Sequence, residues 1–443
     1  MKRFEMKILF ILLAAAVLSS VLPGCGKPAI SPTGSSSAQD TATDEPCGTE
    51  TDETDETDAE VGIKPDWDNR ERNGICLVLP GAKQDTDILI DTVGTMNVKC
   101  TRLWMHATAL LDDPTTPNAA ATERNRAWIS SLREAGVTKI VGMSHYWFLP
   151  ERLMPQEGNP DLIHSSAPYP DADDPDYAEF LDLYEATWQT LAATYPEIGF
   201  WEVGNEVNFD LYLHPLDYES HGTKFTREEK AELTADLCYR ASRGIHRANP
   251  EAIVIFPGMA PVDGFSSMAT FLEQVYKTIE ARDVDDTNCY FQAVAWHGYF
   301  LKSEYSLDAW LDGNRSVYTV MERHGDGDKK VFLTEFGFSD GGDPETDARQ
   351  AGWLAEIFGS LDRLPFVDSV YPFRLMDYRS SKNADPTEIY YGMMCAFYDG
   401  NGKVIKTCIG AKEKGKTLCR LYGGDVEKLD RYLGGHKVYG GNT

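Results

Sequence analysis

The chain has 443 residues and a formal net charge of -28, with 42% hydrophobic residues, 9 Trp, 21 Tyr and 19 Phe. That content can bury a sizeable core, and a uniformly acidic body would be repelled by nucleic acid phosphates and anionic lipid heads. A nucleic-acid binder, a collagen, a coiled coil and a multi-span membrane protein are excluded on these grounds.

The charge is unevenly spread. Residues 1–25 carry Lys2, Arg3 and Lys7 against Glu5, net +2, whereas residues 26–62 carry one Lys and ten acids, net -9, which leaves -21 for the body. A basic start, an apolar run from Ile8 to Val17 and then Leu22-Pro23-Gly24-Cys25 have the order of a secretory signal. The run is too short to span a bilayer comfortably. Leu three positions before a Cys, with Gly directly before it, resembles a bacterial lipoprotein box. That resemblance implies a lipid on Cys25 as the mature N-terminus and a body anchored at the bacterial cell surface; Pro23 departs from the small residue usual at its position. Residues 26–62 are Ser, Thr, Asp, Glu and Pro, with the run Thr51-Asp52-Glu53-Thr54-Asp55-Glu56-Thr57-Asp58. Such a stretch cannot bury enough surface to offset its ordering entropy and reads as a self-repelling spacer.

Residues 63–443 form the third segment. From Gly74 onward short apolar runs alternate with longer amphipathic ones. The expected strands are Gly74–Pro80, Val98–Met105, Lys139–Phe148, Gly199–Asn208, Ala252–Gly258, Phe291–Tyr299, Lys330–Ser339 and Val367–Asp377. They are near-continuously apolar, as strands buried on both faces are. The expected helices are Asp85–Asn97, Glu123–Gly136, Asp176–Tyr195, Arg227–Asn249, Ser267–Arg282, Ser306–His324 and Thr346–Leu361, with Ile409–Tyr422 as the eighth. Eight strand–helix units predict an α/β fold, a (β/α)8 TIM barrel in a single catalytic domain. An open doubly wound sheet would be expected to carry a Gly-rich first turn, which is absent. Gly423–Thr443 reads as a tail or strap. The long segments Leu149–Pro175, Phe209–Thr226 and Tyr378–Ile405 all follow strand C-terminal ends, where this architecture builds its functional face.

Two segments carry the chemistry. Trp201-Glu202-Val203-Gly204-Asn205-Glu206-Val207-Asn208 ends the fourth expected strand, and Val331-Phe332-Leu333-Thr334-Glu335-Phe336-Gly337 ends the seventh. A charge at the end of an apolar strand is costly to bury unless paired or used. Glu206 and Glu335 are 129 residues apart, about three units, so they face one another across the barrel mouth. Facing carboxyls are what glycosidic bond cleavage requires: one protonates the leaving oxygen and the other attacks the anomeric carbon or activates water.

On these residues the chain resembles the retaining glycoside hydrolases of clan A, a superfamily that includes families 5 and 39, and Trp201–Asn208 is similar to the acid/base motif of family 39 xylosidases. The resemblance implies Glu206 as general acid/base, Glu335 as nucleophile and Asn205 as donor to the sugar 2-hydroxyl. It places Arg102 beside the nucleophile, where a cation keeps a carboxyl ionised. His145, His297 and Tyr299 match its His and His-x-Tyr positions, with Tyr299 hydrogen-bonding the nucleophile. Trp104, Trp147 and Trp296 lie at or near strand ends, where aromatics stack on sugar faces, with core packing the competing reading for each; Trp104 and Trp147 are taken as further sugar-binding candidates. Where many members place a Trp on strand eight this chain reads Tyr371-Pro372-Phe373-Arg374, and Tyr371 or Phe373 is the expected substitute. Val207 stands where relatives usually have Pro. Glu202 and Arg374 receive no role.

No cofactor and no metal are expected. The nine cysteines are scattered, without CxxC or a Cys/His ligand cluster, and several are expected in the core as small apolar residues. A Schiff-base Lys at a strand end and His-x-His are both absent, which argues against a lyase, an aldolase or a metal hydrolase. The expected partner is a carbohydrate, the expected state a monomer, and the only membrane contact the lipid. A glycan-binding lipoprotein with a degenerate barrel is the competing reading; intact Asn205, Glu206 and Glu335 argue against it.

Overall fold

The computed structural model describes residues 71–77, 86–154, 163–282, 284, 286–299, 305–377, 389–395 and 410–431. The expected signal, Cys25 and acidic spacer lie outside these residues, as do large parts of the first and third long segments. No helix among the described residues is long and apolar enough to cross a membrane.

Eight parallel strands form one sheet in chain order: β1 (Gly74–Leu77), β2 (Cys100–Trp104), β3 (Lys139–Met143), β4 (Phe200–Glu202), β5 (Ile253–Met259), β6 (Ala293–His297), β7 (Lys330–Phe336) and β8 (Val367–Pro372). The main helices are α1 (Thr86–Thr95), α2 (Ala119–Glu134), α3 (Pro175–Thr194), α4 (Arg227–Ala248), α5 (Phe265–Glu280), α6 (Leu307–Arg323), α7 (Pro344–Ser360) and α8 (Glu413–Leu421). Side chains signal the starts of five. Asn118, Asp174, Thr226, Ser306 and Asp343 each accept a hydrogen bond from a backbone N–H of the first turn, and Thr226 forms a capping box with Glu229.

The sheet curls until β8 returns beside β1. The amide of Leu375, just past β8, donates to the Cys76 carbonyl at 3.3 Å, and a Cβ on Gly74 would sit 2.1 Å from the Val370 carbonyl oxygen. Only glycine permits that approach. This is a nearly closed TIM barrel. Its interior is packed by Cys76, Cys100, Val141, Phe200, Ile255, Ala293, Ala295, Phe332, Tyr371 and Phe373. The larger core lies between sheet and helices, where Trp188, Trp201, Trp296 and Trp310 are fully buried.

Charged side chains close the two ends differently. Near the N-terminal ends of the strands Lys139 Nζ meets Asp368 Oδ2 at 2.6 Å, both buried. Beyond β7 and β8, Lys412 Nζ lies 2.7 Å from both Asp340 Oδ2 and Asp377 Oδ1, and Lys414 Nζ lies 2.9 Å from Asp340 Oδ2, all fully buried. Asp347 of α7 accepts from the amides of Glu413 and Lys414, so α8 is fastened to the loops of the upper face. The expected tail begins with a short helix, Val426–Arg431. Lys428 pairs with Asp91 of α1 at 2.7 Å, and the Asp425 amide donates to the Thr95 carbonyl. Five of the six described cysteines are buried.

Candidate active site

The site is built where the sheet stops being regular. β4 ends at Glu202, four residues short of Glu206. Gly204 has φ 148° and Glu206 has φ 48°, a left-handed conformation that a non-glycine residue adopts at a cost of about 1–2 kcal/mol. Asn205 still bridges to Gly258, and the Glu206 amide donates to the Gly258 carbonyl at 2.6 Å. Asn208 fixes the next turn, exchanging hydrogen bonds with the backbone of Ala260 at 2.7 and 2.8 Å. The strand expected over Gly199–Asn208 is therefore shorter, and Glu202 and Glu206 do not belong to one regular pleat.

Glu335 lies inside β7, in register with His297 of β6. Arg102 Nη1 donates to Glu335 Oε1 at 2.5 Å, and the Tyr299 hydroxyl donates to Oε2 at 2.8 Å. Both oxygens are thus held, and the side chain is 8% exposed. Burial, the largest influence, pushes its pKa up. The charges of His297 and Arg102 and the hydrogen bonds from Tyr299 and Arg102 outweigh burial and hold it below the ordinary carboxylate range.

Glu206 is more open, with 16% of its side chain exposed, and its Oε1 lies 2.8 Å from His297 Nδ1. That nitrogen is also 3.8 Å from Glu335 Oε2. Burial lowers the His297 pKa, but the charge of Glu335 and the hydrogen bond to Glu206 more than reverse it, so the net shift is upward. Arg102 Nη2 donates to Asn205 Oδ1 at 2.8 Å, which leaves the Asn205 amide nitrogen as a donor for another acceptor. Gly258 forms the floor: a Cβ there would lie 2.5 Å from both Glu202 Oε1 and His297 Nε2.

His145 follows β3 and is buried. Its ring lies 4.6 Å from His106, 4.2 Å from Tyr146, 5.3 Å from Tyr212 and 6.3 Å from Trp104. Burial drives the pKa of His106 down to about 3 and that of His145 well below its usual value. Burial thus favours the uncharged form of both rings. The Nδ1 atoms of both rings and Trp104 Nε1 are buried without a partner. On the opposite side Tyr299, Phe373 and Tyr391 pack edge to face at 5.8–6.3 Å.

Two expected sugar-binding residues are corrected. Trp147 is 1% exposed, packs on Phe180 and Tyr184 of α3, and donates to the Ser166 carbonyl. It is core between barrel and helix. Tyr371 is fully buried among the interior residues of the barrel. Inward positions stack in layers, and Phe373, one layer higher, is the ring that reaches Tyr299. Sequence reasoning left Glu202 without a role and missed His106 and Tyr391. Glu202 is fully buried and bonded to Arg102 at 2.5 and 2.9 Å; its charge inside an apolar strand was the available signal.

One donor atom each of Glu206, His297 and Glu335 lie within 4.8 Å of one another, close enough for a metal ion. Arg102 and Tyr299 already direct hydrogens at both oxygens of Glu335, so a cation there would face the guanidinium. The donor set suits proton transfer better.

Residues 234–390 match the family model of a glycosyl hydrolase catalytic core. It is these residues that carry the match to a glycoside hydrolase catalytic core. Solved structures with the same fold include a family 39 glycoside hydrolase from the gut symbiont Bacteroides cellulosilyticus WH2 (TM-score 0.54, 14% identity, 80% of this chain and 63% of that one). A monomeric β-xylosidase from Caulobacter crescentus CB15 gives TM-score 0.51 and 16% identity over 82% of this chain and 69% of that one. Xylanase 10B from Thermotoga maritima gives 0.50 and 13% over 80% and 95%. This glycoside hydrolase thus spans less than two thirds of the Bacteroides chain. No curated protein matches it in sequence.

Proposed function

We propose that this glycoside hydrolase cleaves β-glycosidic bonds of neutral poly- or oligosaccharides with retention, through a covalent glycosyl-enzyme. The observation that carries this reading is the spacing of the carboxyls. One oxygen of Glu206 and one of Glu335 lie within 4.8 Å. Retention goes with carboxyl groups about 5–5.5 Å apart, whereas inversion needs about 6.5–9.5 Å to admit water.

In the first step Glu335 attacks the anomeric carbon while Glu206 gives its proton to the leaving oxygen, so the glycosidic C–O bond breaks as the ester bond forms. In the second, Glu206 takes a proton from water, and that water's oxygen displaces Glu335. Arg102 and Tyr299 keep Glu335 ionised and its oxygens aligned. His297 holds Glu206 on the side facing Glu335, and the Asn205 amide nitrogen is placed to donate to a sugar hydroxyl. The neutral wall of His106, His145 and Trp104 offers hydrogen bonds and aromatic surface without a charge, which favours an uncharged ring over a uronate. A lipid on Cys25 and the acidic spacer would hold this site off the cell surface.

The test is stereochemical. Proton NMR of the first sugar released from an aryl β-glycoside should show the β-anomer before mutarotation; an α-anomer as first product would overturn the double displacement.

A further inference from the structure

We propose that Glu202 is a positioning residue for the nucleophile, acting through Arg102. Arg102 spends Nε on Glu202 Oε2 at 2.5 Å and one hydrogen of Nη2 on Glu202 Oε1 at 2.9 Å. A two-point contact between guanidinium and carboxylate fixes the plane and roll of the guanidinium, not only its distance. Of the contacts left, Nη2 reaches Asn205 and Nη1 reaches Glu335. The residue that sets the guanidinium plane therefore sets where Nη1 points.

Glu202 cannot meet a sugar. It is fully buried, and its Oε1 also accepts from the Gly258 amide at 3.0 Å and the Thr334 hydroxyl at 3.1 Å. Thr334 directly precedes Glu335, so Glu202 ties β2, β4, β5 and β7 together at one carboxylate. Charge neutralisation alone does not explain it. Glu335 already gives Arg102 one counter-charge, and a second buried carboxylate is costly unless its geometry is used. Among the described residues, the lower end of the same barrel sets Asp368 against Lys139 at 2.6 Å.

The proposal rests on the retaining reading for its kinetic readout only. In Glu202→Gln an amino group replaces the acceptor facing the Arg102 Nε–H, so two donors oppose and the guanidinium is released. The expected results are a 10–100-fold fall in kcat, KM within about threefold, and an acid limb of kcat/KM displaced toward higher pH. Adding Glu202→Gln to Arg102→Ala should change little further, because residues acting through one contact are not additive. Carbon-13 NMR titration of labelled glutamates, with Glu335 identified by its loss in Glu335→Gln, should show Glu335 titrating at higher pH in Glu202→Gln. This last measurement needs no turnover, so it decides the proposal even if the wild type cleaves no glycoside. Should Glu202→Gln not fold, Glu202→Asp, which keeps the charge but shortens the reach, carries the same readouts. A lowered thermal midpoint with the Glu335 titration unmoved, or moved to lower pH, would sink the idea and leave Glu202 a structural counter-ion.

Discussion

The two ends of the barrel bury charge in opposite ways. At the lower end Lys139 and Asp368 form one pair, with Ser369 at 3.4 Å and the Phe200 and Phe332 rings beneath the ammonium. At the upper end one guanidinium serves two carboxylates, and a histidine stands between a third carboxylate and one of those two. In the lower pair an acid and a base neutralise one another. The upper cluster has more acid than fixed cation, and the His297 ring lies between Glu206 and Glu335. Burial of charge is a stability cost at both ends, but only the upper arrangement turns it into chemistry.

Each of the following expected outcomes would break or sharpen that contrast. Removing a member of the upper pair should have the largest effect on rate. Glu335→Ala and Glu206→Ala should each lower turnover about 10³-fold or more, with azide partly restoring Glu335→Ala and giving a glycosyl azide of inverted configuration. If either variant kept near wild-type turnover of an aryl glycoside, the role given to that carboxyl would fail. Gly258→Ala should come next, at about 10²-fold, because its Cβ would press on Glu202 and His297; steady-state kinetics on folded protein checks this.

The lower pair should behave the other way round. Lys139→Met leaves Asp368 buried and unpaired, so unfolding in denaturant should show a loss of about 3–5 kcal/mol, with kcat of the folded fraction unchanged within about twofold. Lys139→Met with Asp368→Leu should recover most of the loss.

The pH dependence is a smaller effect with a definite sign. Glu335 is held below its ordinary 4.5, so the stability it confers is fully present above pH 4.5 and fades as pH falls through its folded value. His297 is held above its ordinary 6.5, so its contribution is present below pH 6.5 and fades as pH rises through its folded value. Thermal midpoints measured across pH should therefore show a plateau between these limits, flattened in Glu335→Gln. The acid limb of kcat/KM should lie below pH 4.5. Tyr371→Phe and Trp147→Phe should change KM least, within about twofold, since neither ring reaches the mouth.

All eight strands and their helices are legible in the chain because each strand is buried on both faces and so is apolar throughout, while side chains such as Asn118, Asp174 and Thr226 mark helix starts. Arg102, His297, Tyr299 and Glu335 were legible as site candidates for a related reason: a polar side chain at the end of an apolar strand needs a partner, and the barrel supplies one across its mouth. The same logic failed where depth or register decides. Tyr371 and Phe373 share an inward parity but sit one layer apart, and parity does not say which reaches the surface. Trp147 lies beyond the end of β3, where the chain has already turned outward onto α3.

By itself the sequence determined the barrel, the order of its strands and which ends carry chemistry, since those follow from local apolar periodicity and chain order. Only the tertiary structure decided how the charges are shared. The break at Gly204 carries Glu206 out of the pleat of β4, Arg102 is divided between Glu202 and Glu335, and Gly258 leaves room for all of them. These contacts join residues 36 to 233 positions apart, and no local pattern encodes the partner of a buried charge.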